Sequence, residues 1–333
     1  MGAPLSVARR SDVVVAKGAV AFAVLVLLTS SAALAADRYA VVITGASAGE
    51  AYARQYDAWR SSLLATLKGK FRYPDDHCLV LTEAGKEGRD RATREDVRRV
   101  FSDLRTRLAK DDLLFVVLIG HGTTDEDDGK FNLVGPDLSS GDWAELLRSM
   151  PGRLVFIDTT GGSFPFMRRM AAPGRIVIAA ADSAAQQFET VFPGYFVKAL
   201  EDPAADADKN GRVSVWEAFS HASAGVRQWF QQRGQLPTER ALLDDDGDGI
   251  GREAQNPGSD GALARAVFFA PKTPGSGDGE LIRRRMDLER QLDELRLRKA
   301  SSSDPARFDP QIESLLVEIA RLSREMLSRP QER

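Results

Sequence analysis

A single cysteine, Cys78, stands in a chain of 333 residues, so no disulfide can form within it. That excludes a disulfide scaffold and leaves stability to a buried core, which 43% hydrophobic residues can supply. Cys78 sits in His77-Cys78-Leu79-Val80-Leu81, an apolar strand pattern. Adjacent strand side chains point to opposite faces, so His77 and Cys78 do not converge into a nucleophile pair. Neither GxxxxGK(S/T) nor GxGxxG occurs, so phosphate-loop and dinucleotide readings lack their motif. A formal net charge of −3 gives no basic field for nucleic acid, and no nucleic-acid partner is expected.

The first 35 residues have the layout of a secretory signal peptide: Arg9, Arg10 and Lys17 precede the apolar run Ala19 to Leu28, and Ala33-Leu34-Ala35 offers a small-residue cleavage site. Cleavage removes a net charge of +2 and leaves −5, a mildly acidic exported protein, periplasmic or extracellular. The competing reading is an uncleaved membrane anchor, since Val13 to Ala36 is nearly long enough to span a bilayer. A membrane is a partner only in that second case.

From residue 36 to 270 the pattern alternates between strand and helix. Residues 38–44 (RYAVVIT), Cys78–Thr82, 113–119 (LLFVVLI), Leu154–Asp158 and 175–181 (RIVIAAA) read as strands. Residues 49–68 place Tyr52, Tyr56, Trp59, Leu63, Leu64 and Leu67 on one helical side. A helix opens at Thr93, with Asp96 at capping spacing. Asp142–Met150, Phe166–Met170 and Phe192–Glu201 are helical. Asp125-Glu126-Asp127-Asp128 reads as an acidic loop and Phe131–Val134 as a hairpin arm. Strands apolar on both faces and separated by helices predict an α/β fold, a mostly parallel sheet sandwiched by helices.

In open parallel sheets reactive groups collect at the carboxyl ends of strands. One such strand runs into Gly120-His121-Gly122 and another runs Asp158-Thr159-Thr160-Gly161-Gly162-Ser163. This pair of strand ends resembles the catalytic histidine and cysteine strand ends of the legumain and caspase superfamily, over roughly residues 38–270. Gly174-Arg175-Ile176-Val177-Ile178 and Thr238–Asp244 add to a likeness with bacterial caspase-like sequences. The resemblance makes His121 the counterpart of the catalytic histidine and Asp158 that of the acidic residue two before the nucleophile. Thr160 falls where the cysteine belongs. Gly122 would let a substrate carbonyl approach the backbone. An internal threonine hydroxyl needs far stronger activation than a thiol. The resemblance therefore implies a caspase-like pseudo-peptidase. The enzyme alternative is a hydrolase using Thr160 or Ser163 with His121.

Residues 206–217 satisfy D-x-(D/N)-x-(D/N)-G-x5-E, an EF-hand calcium loop. Asp206, Asp208 and Asn210 would offer side-chain oxygens, Arg212 its backbone carbonyl, Ser214 a direct or water-mediated contact, and Glu217 both carboxylate oxygens to Ca2+. The same Ser214 and Glu217 also make a capping box that starts a helix without any ion. A second loop, 244–255, places Asp244, Asp246 and Asp248 at the same spacing but has Gln255 at position twelve, and the two loops are expected to sit side by side. Residues 271–280 read as a linker, and 281–329 as a helical hairpin with a short coiled-coil seam. Leu281, Leu288, Leu292 and Leu295 line one helix, and Ile312, Leu315, Ile319, Leu322 and Met326 the other. Arg285 interrupts the seam. Such a pair buries little alone and is expected to meet a protein partner or a second copy. A third, plainer reading makes the chain a calcium-stabilised structural protein.

Overall fold

The computed structural model describes residues 36–86, 89–125, 128–186, 189–271 and 304–328, with positions 281, 284–285, 287–288, 291–292, 295 and 298–299 of the arm. The expected signal peptide, most of the linker and part of the first arm helix lie outside the described residues.

Seven-residue β1 (Arg38–Thr44) leads into α1 (Glu50–Gly69) and β2 (Cys78–Leu81). Helix α2 (Arg94–Arg107) starts where Thr93 accepts the Asp96 backbone N–H on its hydroxyl, and β3 (Leu113–Ile119) follows. Next come β4 (Gly122–Asp125), β5 (Asp128–Phe131), β6 (Leu138–Ser139), α3 (Ser140–Leu147) and β7 (Arg153–Asp158). Then α4 (Phe164–Met170), β8 (Ile176–Ala179), α5 (Phe192–Glu201), α6 (Val215–Gln232), β9 (Leu242–Asp244), α7 (Ala262–Ala266) and α8 (Asp309–Ser328) complete the order.

The main sheet has six strands in the order β2-β1-β3-β7-β8-β9, parallel except for β9, which runs antiparallel along β8. Its inner strands are apolar on both faces because both faces are covered. Ala40, Val42, Phe115, Val117, Val155 and Ile157 join a core with α1, α5 and α6, and Val41, Ile43, Val116, Leu118 and Phe156 join a second core with α2, α3 and α4. The expected α/β sandwich is the observed one.

Two local expectations are corrected, and a third is refined: the acidic stretch 125–128 joins two strands, Asp125 pairing with Asp128 where β4 meets β5, and β6 adds a third strand. Phe131 closes β5, so the hairpin arm lies earlier than residues 131–134. His77 sits in a 3-10 turn, Asp75–His77, and stacks on Tyr39 at 4.0 Å between ring centroids, so its divergence from Cys78 does not come from strand alternation. Among the described residues no helix is long and apolar enough to cross a membrane.

Candidate functional site

Strands β3 and β7 are hydrogen-bonded neighbours, so His121 and Thr160 leave adjacent carboxyl ends. Closeness of the strands does not join the side chains. The Thr160 hydroxyl is buried and has no hydrogen-bond partner, so no bond links it to His121. A β-carbon on Gly122 would lie 2.3 Å from Thr160 Oγ1, and one on Gly162 would lie 2.7 Å from the Gly122 carbonyl carbon. The open side of Gly122 is thus filled by Thr160 itself, and a substrate carbonyl has no space there. A β-carbon on Gly129 of β5 would also press on the Gly162 carbonyl, at 2.6 Å. The hairpin lies directly on the turn that carries Thr160.

This packing makes a direct prediction. Gly122→Ala should destabilise the fold by about 1–3 kcal/mol, the usual range for overpacking, as read by urea unfolding. Adding Thr160→Ala should recover part of that loss, because it removes the nearest clashing atom. Equal stability of Gly122→Ala and wild type would show that the two strand ends do not touch.

The His121 ring faces α1 instead. Its Nε2 lies 3.3 Å from the Ser47 carbonyl, and its edge meets Tyr52 at 4.7 Å and Tyr56 at 5.6 Å between centroids. A carbonyl only accepts, so the neutral ring keeps its proton on Nε2 and leaves Nδ1 as the acceptor. Ser47 is held in turn by Glu83, whose Oε2 accepts the Ser47 hydroxyl at 2.6 Å and its backbone N–H at 3.2 Å. Tyr56 donates its hydroxyl to Glu189 at 2.5 Å, and burial holds the phenol well above its ordinary range.

Asp158 braces the turn. It is fully buried, its Oδ1 accepts the Thr160 N–H at 2.9 Å, and its Oδ2 has no partner. Burial pushes the carboxyl up to about 7, opposed by that backbone N–H and by the neighbouring Thr160 side chain, whose hydroxyl lies beside Asp158 without reaching hydrogen-bond geometry. Ser163, the second candidate nucleophile, is also buried and accepts the Ala181 N–H at 3.0 Å.

The second constellation is the 206–217 loop. Single carboxylate oxygens of Asp206, Asp208 and Glu217 all lie within 4.8 Å of one another. Two oxygens on opposite sides of one calcium ion at the usual 2.3–2.6 Å are separated by about that much, so the set fits Ca2+. Sequence-local hydrogen bonds shape the loop: Asp206 accepts the Asn210 and Gly211 N–H groups, and Asn210 Oδ1 accepts that of Arg212. Gly211 has φ +79°, as the sharp turn requires. The Arg212 guanidinium turns away, 3.8 Å over the Phe268 ring, and leaves its backbone carbonyl as the group on offer. Glu217 closes the loop. Its Oε1 accepts Ala207 N–H at 3.0 Å, and its Oε2 accepts the Ser214 N–H and hydroxyl in a complete capping box. Ser214 is therefore committed to the cap.

In the second loop Asp244, Asp246 and Asp248 also bring oxygens within 4.8 Å of one another. An internal cation already serves two of them. Arg252 lies 2.9 Å from Asp248, 3.9 Å from Asp246 and 2.6 Å from Asp260. Among the described residues no strand bridge joins the two loops: residues 213–215 pair with 267–269, and Leu243 pairs with Arg252. Arg252, Asp260 and the arm residue Arg285 are the site residues that the motif does not include.

No family model matches the chain, and no curated protein matches it. Among solved structures it is similar to protein GSU0716 from Geobacter sulfurreducens, with 13% identity, a TM-score of 0.44, and coverage of 71% of this chain and 100% of that one. It is also similar to the Drosophila initiator caspase Dronc, with 12% identity, a TM-score of 0.43, and coverage of 67% and 84%.

Proposed function

We propose that this chain is an exported caspase-like module that binds calcium at residues 206–217 and cuts no peptide bonds, its strand ends serving as scaffold for binding or assembly. The burial of the Thr160 hydroxyl beneath Gly122 carries this reading, because an attacking oxygen must reach a carbonyl and have a base to take its proton. Its nearest base by family resemblance, His121, is engaged with Ser47 and Tyr52. The gathering of Asp206, Asp208 and Glu217 supports the calcium part. Export rests on the pattern of residues 1–35, and the binding role on the arm.

A fluorophosphonate probe and a panel of peptide substrates test the absence of hydrolysis, with and without several millimolar calcium. The expected result is no labelling and no cleavage above that of Thr160→Ala and Ser163→Ala. Turnover lost on altering either hydroxyl would establish the hydrolase reading instead. Calcium binding is read on the same samples from Trp216 fluorescence, since Trp216 lies inside the loop beneath Arg265, 4.1 Å over its ring.

A further inference from the structure

We propose that the amino ends of β1, β3 and β7 carry a binding site for a compact phosphate-class oxyanion, held by Arg38, Arg153 and Arg212. The site lies at the opposite end of the sheet from His121 and Thr160, and it adds a second ligand to the function proposed above.

Strand register brings the first two arginines together. Arg38 opens β1 and Arg153 opens β7, and each is in register with Leu113 of the strand between them. Registered residues of a parallel sheet present their side chains on one face. That face is the one on which Ala40, Phe115 and Val155, two residues further on, meet α1, α5 and α6. Two strand spacings, about 10 Å, separate the two backbones, within the joint reach of two arginine side chains. Arg212 reaches the same face from the loop before α6. The pairing of residues 213–215 with 267–269 sets its guanidinium 3.8 Å over the Phe268 ring. A cavity of about 150 Å3 lies among the three arginines, with Leu113 and Val267 in its wall.

The charges gathered here lack a counter-charge. Arg38 and Arg212 are half-buried, and the Nε of each is shut off from solvent with no acceptor. Buried donors without a partner are rare in folded proteins. Arg212 uses Nη2 on the Ala270 carbonyl, at 3.0 Å. Arg153 is exposed. Among the described residues none of the three guanidiniums forms an ion pair with a carboxylate, although Asp111 lines the same cavity. Burial lowers the Arg212 guanidinium from its ordinary value, and the charge of Arg38 lowers it further. Asp37, next to Arg38 in sequence, offsets part of the charge there. An oxyanion seated among these side chains supplies acceptor oxygens and negative charge together. The planar fork of a guanidinium matches phosphate geometry, and phosphate brings up to two negative charges against three arginines and one aspartate. The cavity is far smaller than the roughly 300–1,000 Å3 of sites for drug-sized ligands, so it takes the phosphate group and leaves any ester outside.

The test uses the full chain in calcium-free buffer at about 0.15 M salt, where long-range attraction is screened. Titration calorimetry with inorganic phosphate reads the site. Co-sedimentation with phosphatidic acid vesicles, against phosphatidylcholine vesicles, reads whether a lipid headgroup delivers the same group. One phosphate per chain is expected. Arg153→Ala removes an exposed side chain, so the fold should persist, and binding should weaken by about 10- to 150-fold, the usual effect of losing a hydrogen bond to a charged group. Arg38→Lys keeps the charge, loses the fork, and should weaken binding by about tenfold. Asp111→Asn removes an opposing charge and should tighten binding by about two- to fivefold. Arg168→Ala makes the same change of charge on α4, beyond the other face of the sheet, and should leave affinity within about twofold of wild type. Phosphate binding and vesicle capture both lost in Arg153→Ala would assign the site to a headgroup, and phosphate binding without capture would assign it to a soluble anion. No phosphate binding by wild type, equal binding by wild type, Arg153→Ala and Arg38→Lys, or an equal loss in Arg168→Ala would overturn the site. None of these results bears on calcium at residues 206–217.

Discussion

With calcium bound at residues 206–217 as proposed, Glu217→Gln is expected to remove the calcium response. Glu217 stands at the twelfth position of the loop, where one carboxylate supplies two oxygens and a full negative charge. Loop affinities span about six orders of magnitude with ligand charge and rigidity, so losing the charge and one oxygen should weaken binding by on the order of a hundredfold or more. The same side chain has a second task. Its Oε1 accepts Ala207 N–H, and its Oε2 accepts Ser214 N–H and hydroxyl, so it also shapes the start of α6. Glutamine preserves an oxygen for the cap, and glutamine at this position is compatible with a capping box. It also turns an amide NH2 against other donors, at a cost of about 1–3 kcal/mol in calcium-free buffer. Two readouts separate the tasks. Thermal unfolding without calcium should show the modest loss. Wild type at a hundredfold excess of calcium over its dissociation constant should gain about 2.7 kcal/mol, and the variant almost none. Equal calcium stabilisation of both proteins would mean that Glu217 only caps the helix.

Much of the sheet and of this loop is legible in the sequence because the signals are local. Apolar residues on both faces of 113–119 and 154–158 can only sit in a covered parallel sheet, and those strands are neighbours. Thr93 with Asp96, and Ser214 with Glu217, cap their helices through contacts three residues long. The spacing of Asp206, Asp208 and Glu217 puts their oxygens together for the same reason. What sequence does not carry is contact between distant segments. The hairpin strand Gly122–Asp125 is polar and short, with no apolar alternation, so nothing in its composition marks it as the cover of the Thr160 turn. Arg285 reads as a fault in a coiled-coil seam, yet it donates to the Asp208 carbonyl 77 residues away. Arg252 likewise lies inside the second motif at a position the motif leaves undefined. Glu239, 48 residues from Val191, accepts the Val191 and Phe192 N–H groups at the start of α5, a cap supplied from another part of the chain.

That distant cap and Asp158 both contribute to the dependence of stability on pH, alongside the raised carboxyls of Asp208, Asp244 and Asp260. Burial pushes Glu239 up to about 7, against the hydrogen bonds from Val191 and Phe192, and pushes Asp158 up to about 7 as well. In the unfolded chain both carboxyls return to about 4. A carboxyl whose folded pKa is raised holds its proton more tightly when folded. Its contribution to stability is then fully present below about pH 4 and is lost as pH climbs towards 7. Above pH 7 both groups are charged in each state, and the fold bears the cost of two buried anions. The expected result is a protein more stable at pH 5.5 than at pH 8 by on the order of a few kcal/mol from these two groups, measured by urea unfolding in calcium-free buffer. Asp158→Asn keeps an oxygen for the Thr160 N–H and removes the titration, so it should flatten its share of the slope and raise stability at pH 8 relative to pH 5.5. Glu239→Ala should do more damage at either pH, because it strands two buried backbone donors at the head of α5, each costing about 1–3 kcal/mol. A wild-type slope of opposite sign, with stability rising from pH 5.5 to 8, or a slope unchanged in Asp158→Asn, would show that these carboxyls are not held in a dry interior. The sealing of the Thr160 turn would fall with that result, because Asp158 and Thr160 share the same enclosure.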